Sequence, residues 1–373
     1  MKILIFTASA GNGHNSAAKT IKKEFDSREG NEVIIIDAYK KYASALKNWL
    51  HTDGYLLACN HGVKLYNYFF KKCEARDYTK PEKNSVHKTI NCLKKGMLKD
   101  IVEFNPDLII STYIYCSIAL SDLKQEQNLQ IKTASLMLDY CISPFWECIA
   151  KNTDYMFLTS NAFVDEFVKR GFAPKVLYPI GIPINNAFSE LKDKSSACKE
   201  LNLKENMFTL IIMKAGFFGI KEHALVSALN DVKTPIQVVI VNGRAEKSKQ
   251  KIDKLLKTKA THHNIASIGF TDKIPEYFAC ADLVLGKAGG LTLTETLTSG
   301  IPSLIVGELP QQEIYNKDFM VKNNVCRFVE KNSLTDVLNC IVENPRIVEE
   351  MKNNCKNLRT PYAVTKLCDI LSN

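Results

Sequence analysis

Residues Lys2–Ala18 read KILIFTASAGNGHNSAA. An unbroken apolar run ends in a Gly-Asn-Gly-His turn, and small residues follow where a helix would pack on a sheet. A continuous rather than alternating apolar run predicts a strand covered on both faces, as in a parallel α/β sheet. Gly11 and Gly13 permit a tight turn and let a ligand approach the main chain closely. Asn15 or Ser16 can cap the helix, and Ala17 and Ala18 allow it to lie close on the sheet. His14 then stands at the helix N-terminus, where the positive end of the dipole disfavours imidazolium and favours a neutral ring that can accept a proton. The spacing is not GxGxxG, because no third glycine arrives on schedule. From this stretch alone a capping or packing histidine and a catalytic one both remain open.

The same strand-then-helix rhythm runs through the chain. KILIFTA, EVIIIDA, DLIIST, IKTASLML, DYMFLTS and KVLYPIG are strand candidates in the first half. FTLIIMKA, IQVVIVNG, IASIGF, ADLVLGKA, PSLIVGE and CRFVEK follow in the second. Segments such as SAAKTIKKEFDSR and NAFVDEFVKRG carry apolar residues at helical spacing between them. At 373 residues the chain exceeds the size of a single core, so the pattern reads as two doubly wound α/β domains. A polar, lysine-rich stretch after GIPI places the boundary near residue 188. The expected domains are 1–188 and 189–358, with a helix over 359–373 that packs back on the first.

Composition narrows the class. Hydrophobic residues make up 46% and charged residues 24%, an ordinary globular balance. No apolar stretch approaches the ~20 residues needed to span a bilayer, and the N-terminus does not read as a signal peptide. The 12 cysteines are scattered without a CxxC pair or zinc-like spacing, which fits reduced, buried thiols in a cytosolic protein. The net charge is +9, and between Lys40 and Asp100 thirteen Lys/Arg stand against five Asp/Glu. That stretch also contains NWLHTDGYLLA and KLYNYFFKK. Nucleic acid, an anionic membrane surface and a solvated lysine-rich face are all open to such a segment. The mixture of aromatics and lysines suits a membrane interface, and no nucleic-acid recognition motif accompanies it.

The second half carries a further motif. ADLVLGKAGGLTLTETLTSGIPSLIV is a strand, a turn at Gly289 and Gly290, and a helix beginning near Leu291 or Thr292. Free N–H groups at that helix start make a diphosphate cradle, with Lys287 and Thr292 as polar reinforcement. Glu295 can reach a ribose diol with both carboxylate oxygens. Just after the next strand, ELPQQEIYN supplies Gln311, Gln312, Glu313 and Asn316, donors and acceptors suited to sugar hydroxyls.

Together these motifs resemble the monogalactosyldiacylglycerol synthase and processive diacylglycerol glucosyltransferase family, with the peptidoglycan N-acetylglucosaminyltransferase as a more distant relative. The resemblance rests on GNGHNSAA against the family's G-G-G-H-x-x-A-A, on GIPI, on IGFTDKIPEYFACADLVLGKAGGLTLTETLTSGIP, and on PQQEIYN near the family's P-G-Q-E-x-x-N. It covers the whole layout of the chain and is most specific from Gly269 to Asn316. It implies a GT-B fold, two Rossmann-like domains facing across a cleft, the first binding acceptor and the second nucleotide sugar. It implies inverting, metal-independent transfer of a hexose from a UDP-sugar to a lipid acceptor such as diacylglycerol, without a cofactor. His14 would be the general base, with Asp139 orienting a group in the site. Gly11, Gly13, Lys214, Gly216, Lys287, Gly289, Gly290, Leu291 and Thr292 would line the donor's path. Phe270 would frame the uracil, Glu295 would hold the ribose, and Gln312, Glu313 and Asn316 would face the sugar. The expected location is the cytoplasmic face of a membrane, held peripherally through residues 40–100.

Three departures from the family pattern stand out. Lys214-Ala-Gly-Phe-Phe-Gly219 replaces a run of glycines after the strand FTLIIM, so that Lys214 either supplies charge to the diphosphate or is an exposed lysine at a strand end. In LDYCISPFWE, between Asp139 and Trp146, Ser143 stands where the family has a histidine. Ala288 and Gln311 replace a proline and a glycine. The altered segments leave a soluble or polyprenyl-linked acceptor, or nucleotide-sugar binding with degraded catalysis, as the alternatives.

Overall fold

The computed structural model describes residues 1–11, 13–74, 85–214, 219–258, 261–330 and 332–373. The chain divides into two compact units, Met1–Asn186 with Tyr362–Asn373, and Ala187–Pro361.

The first unit runs β1 (Lys2–Thr7), α1 (Gly13–Asp26), β2 (Glu32–Asp37), α2 (Ala38–Tyr42), α3 (Ala45–His51), α4 (Asp53–His61), α5 (Val63–Glu74), α6 (Ser85–Phe104), β3 (Leu108–Ser111), α7 (Ile114–Glu126), β4 (Lys132–Leu136), β5 (Tyr155–Phe157), α8 (Val164–Lys169) and β6 (Leu177–Tyr178). Its sheet is parallel, in the order β2-β1-β3-β4-β5-β6. The order reverses between β1 and β3, so the crevice for a ligand opens beyond the carboxyl ends of those two strands. Leu108 to Ser111 are all buried, as a strand covered on both faces requires. α1 packs through Ala17, Ala18, Ile21 and Phe25, one stripe at helical spacing.

The second unit runs α9 (Lys194–Glu200), β7 (Thr209–Met213), α10 (Glu222–Asn230), β8 (Gln237–Val241), α11 (Glu246–Thr258), β9 (Asn264–Ile268), α12 (Ile274–Cys280), β10 (Leu283–Gly286), α13 (Gly290–Thr298), β11 (Ser303–Val306), α14 (Gln311–Lys322), β12 (Cys326–Val329), α15 (Leu334–Glu343) and α16 (Pro345–Leu358). Its parallel sheet has the order β12-β11-β10-β7-β8-β9, the Rossmann arrangement, with the switch point between β7 and β10.

The last helix, α17 (Ala363–Ser372), belongs to the first unit. Tyr362 turns the chain with a left-handed φ of 58°. Val364, Leu367 and Leu371 are buried, and full burial of each is worth about 1.5–3 kcal/mol. Arg28 at the end of α1 pairs with Asp369 at 2.9 Å, and Asn186 donates to the Thr365 hydroxyl at 2.8 Å.

Helices α3 to α5 present apolar side chains to solvent. Leu46, Trp49 and Leu50 on α3, Leu57 on α4, and Leu65, Tyr68 and Phe69 on α5 are between 45% and 66% exposed. Their i, i+3 and i+4 spacings give α3 and α5 each an outward apolar stripe, with Lys47, Lys64, Lys71 and Lys72 also exposed. Among the described residues no helix is long and apolar enough to cross a membrane.

Candidate active site

In the first unit, β1 delivers the chain to the switch point and Gly11 turns it with φ +77°. A side chain at Gly11 would meet no crowding, so the glycine answers to the left-handed backbone alone. α1 begins at Gly13, earlier than capping by Asn15 or Ser16 would allow, and Asn15 lies inside the first turn with its amide bonded to Thr7 and Ser9. His14 therefore sits among the free N–H groups at the start of α1.

His14 Nδ1 lies 2.6 Å from the carbonyl oxygen of Thr112, just past β3. A carbonyl can only accept, so the neutral ring carries its proton on Nδ1 and its basic lone pair on Nε2. The ring packs edge-to-face on Tyr113, with centroids 4.9 Å apart. Burial lowers the His14 pKa below the usual histidine value, and the Asp139 charge and the Thr112 carbonyl oppose that shift. The ends of β1, β3 and β4 thus gather His14, Thr112 and Asp139. Asp139 acts on His14 through its charge, and its own carbonyl accepts from the Thr159 hydroxyl at 3.2 Å. Ser143 caps the short helix Pro144–Ile149 by accepting from the Phe145 N–H. Trp146 is buried in the core, its ring 6.3 Å from that of Phe167.

In the second unit, α13 starts at Gly290, with Gly289 extended at the N-cap and no side chain capping the free N–H groups. Space beyond Gly289 is open, since an added Cβ would find no atom within 4 Å. Leu291 and Thr292 follow in the first turn, half-buried. A Cβ built on Gly286 would stand 3.6 Å from the Met213 Cβ and 3.9 Å from the Thr292 Cγ2, which puts Thr292 beside the ends of β10 and β7. Lys287 pairs with Glu313 at 2.9 Å, joining the turn after β10 to the start of α14. Gly219 (φ +77°) rests on Gly307, and a Cβ there would come within 2.5 Å of the Gly307 Cα. Only glycine allows the loop entering α10 to lie so close to the loop after β11.

Glu295 is pushed up to about 8 by burial. Gln312 lies half-buried in the first turn of α14. Asn316 is fully buried, and its amide donates to the Ala288 carbonyl at 2.9 Å. That bond holds the turn that carries Gly289. Phe270 is 68% exposed, with the Arg244 guanidinium 5.2 Å from its ring centroid. Arg244, in the loop after β8, had no sequence signal beyond its place at a strand end.

Lys214 is buried at the end of β7. Its ammonium bonds to Glu222 at 3.2 Å and to Ser248 at 2.7 Å, and Ser248 also donates to Glu222 at 2.8 Å. Burial alone would raise the Glu222 pKa, but bonds from its own N–H, Ser248 and Lys214 hold it down at about 2. The Lys214 charge is therefore matched inside the fold, in a triad that ties β7 to the starts of α10 and α11. Gly216 lies outside the described residues.

Residues 14–184 match the family profile described as Monogalactosyldiacylglycerol (MGDG) synthase, and residues 219–364 match the Glycosyltransferase family 28 C-terminal domain. The chain is 28% identical over 370 residues to the processive diacylglycerol beta-glucosyltransferase of Bacillus pumilus, covering 97% of this chain and 92% of that one. The enzyme of the same description from Bacillus subtilis is 26% identical over 362 residues, with 96% and 91% covered. Among solved structures, MurG of Acinetobacter baumannii aligns at a TM-score of 0.65 and 13% identity, covering 100% of this chain and 99% of that one. Anabaena HepE in complex with UDP-glucose aligns at 0.56 and 14%, with 100% and 99% covered. These likenesses carry the fold, two parallel α/β units of GT-B type.

Proposed function

We propose that this chain, whose residues 14–184 match the monogalactosyldiacylglycerol synthase profile and residues 219–364 the glycosyltransferase family 28 C-terminal domain, moves a hexose from a UDP-sugar to the hydroxyl of diacylglycerol. The curated relatives it matches over more than nine-tenths of its length are described as processive diacylglycerol beta-glucosyltransferases. The observation that carries the chemistry is the His14 bond to the Thr112 carbonyl, because it leaves Nε2 as a base at the switch point of the first sheet.

In this reading the first unit takes the acceptor and the second the nucleotide sugar. Nε2 of His14 accepts the proton of the acceptor hydroxyl as its oxygen attacks the anomeric carbon. The bond from that carbon to the diphosphate breaks, and configuration inverts. Asp139 stabilises the imidazolium that forms. The open N–H groups at Gly290, Leu291 and Thr292 take up the charge developing on the leaving UDP, with Lys287 beside them. Glu295 holds the ribose, Phe270 with Arg244 frames the base, and Gln312 and Glu313 meet the sugar. Gly11 and Gly13 leave room over the acceptor oxygen, and Lys214 and Asn316 shape the donor site from behind.

The apolar stripes of α3 and α5, with Lys47, Lys64, Lys71 and Lys72 on the same helices, support docking on an anionic bilayer. Such peripheral attachment at the cytoplasmic face brings the site to a lipid acceptor. Incubation with UDP-glucose or UDP-galactose and vesicles containing diacylglycerol tests the proposal. Release of UDP with formation of a hexosyl-diacylglycerol is expected. Turnover on soluble acceptors alone would overturn the lipid assignment.

A further inference from the structure

Beneath His14 runs a chain of hydrogen bonds with a single direction. A carboxylate only accepts, and Asp37, at the end of β2, accepts the Lys40 N–H on Oδ1 at 3.0 Å and the Ser9 hydroxyl on Oδ2. Having given its proton away, Ser9 Oγ accepts from Asn15 Nδ2 at 2.9 Å. That fixes the amide so that Asn15 Oδ1 faces Thr7, whose hydroxyl donates to it at 3.0 Å. Thr7 Oγ1 in turn accepts from the Thr112 hydroxyl at 2.9 Å. Thr112 is the residue whose carbonyl receives the His14 Nδ1–H.

The chain crosses the carboxyl ends of three adjacent strands, β2, β1 and β3, with Thr7 and Asp37 directly paired in the sheet. Thr7 and Thr112 are each 1% exposed, so water cannot replace a lost partner there. Asn15 is the residue next to His14, and Thr112 is its acceptor. One chain thus holds both the first turn of α1 and the group that receives the ring proton.

We infer that Thr7, Ser9, Asn15 and Asp37 are positioning residues that hold the acceptor of the His14 Nδ1 proton and the first turn of α1, so that Nε2 is presented as the base. This rests on the reading of His14 as the general base. The Asp37 carboxylate sets the polarity of the chain, and each bond polarises the next. The other groups facing the ring are Asp139 beyond β4 and the Tyr113 side chain.

Four variants test it. Thr7→Val keeps the shape and removes the hydroxyl, and Thr7→Ser keeps the hydroxyl. Asn15→Asp keeps the size and removes the donor to Ser9, and His14→Ala removes the base. Turnover is measured with UDP-glucose and diacylglycerol vesicles across pH, with UDP affinity by calorimetry. Thr7→Val and Asn15→Asp are expected to lower kcat about tenfold to a hundredfold, the scale of a misplacement of order 1 Å. In Thr7→Val the acidic limb of the kcat profile moves to lower pH, because the Thr112 bond that supports the imidazolium is weakened; Asn15→Asp, which adds a carboxylate beside His14, is read by kcat alone. UDP affinity and KM for UDP-glucose stay within about twofold, and Thr7→Ser recovers most of the loss. Wild-type turnover in both variants and an unmoved acidic limb in Thr7→Val, with His14→Ala inactive, would overturn the inference. Should Thr7→Val fail to fold, Asn15→Asp decides alone, its folding established by UDP binding. Substantial turnover by His14→Ala removes the base itself, and the inference with it.

Discussion

His14 and Thr112 stand 98 positions apart in the chain, and the imidazole Nδ1 donates to the Thr112 carbonyl at 2.6 Å. Burial lowers the His14 pKa, and the Asp139 charge works against that shift. Asp139→Asn removes the opposing charge, so the His14 pKa falls further and the acidic limb of the pH–rate profile moves to lower pH. The plateau rate falls as well, because a weaker base sits in the site. His14→Ala costs about 10²–10⁴-fold in kcat, the usual worth of a positioned base, with UDP binding retained. An acidic limb that stays in place in Asp139→Asn contradicts the coupling.

Glu295 retains its proton up to about pH 8 in the folded chain, against an ordinary carboxyl value of 4.5. Between those values the unfolded chain has lost a proton that the folded chain still holds, so rising pH favours unfolding. Glu295→Gln removes that dependence. In thermal melts without nucleotide its advantage over wild type should be absent near pH 4.5 and grow towards pH 8. An advantage that stays constant with pH sinks the assignment of a carboxyl raised by desolvation.

Lys214→Met leaves the Glu222 carboxylate with Ser248 but without its cation. Breaking a fully buried pair costs about 3–5 kcal/mol, and about 2 kcal/mol is expected here because Glu222 keeps part of its side chain in water. Adding Glu222→Gln should return part of that loss, as a double-mutant cycle in urea would read. The depressed Glu222 pKa, about 2, contributes stability above the ordinary 4.5 that disappears as pH falls towards 2. The Lys214→Met deficit should shrink over the same window.

Leu50 and Phe69 are exposed on α3 and α5. Replacing both by serine touches no core, so thermal stability should move little. Flotation with anionic vesicles should drop about tenfold or more, since each apolar side chain inserted in the interface is worth about 1.5–3 kcal/mol at full burial. Unchanged flotation would overturn docking through α3 and α5.

Each of the twelve apolar runs singled out in the sequence overlaps a strand of one of the two parallel sheets. A strand buried on both faces must be apolar at successive positions, and that demand is written locally, as are the glycine turns that end β1 and β10. Partners from distant elements are a different matter. Lys214 reads as a free charge at a strand end, yet α10 and α11 bring Glu222 and Ser248 to it. Asn316 reads only as one polar residue of ELPQQEIYN, and the fold buries it and directs its amide to Ala288. The basic, aromatic segment announced its composition, while only the packing of α3 to α5 decided which rings and aliphatics face water. Short-range sterics and the burial of consecutive side chains specify element type from sequence alone. The order of strands across a sheet decides which loops meet at its carboxyl edge, and so which carbonyl receives the proton of His14.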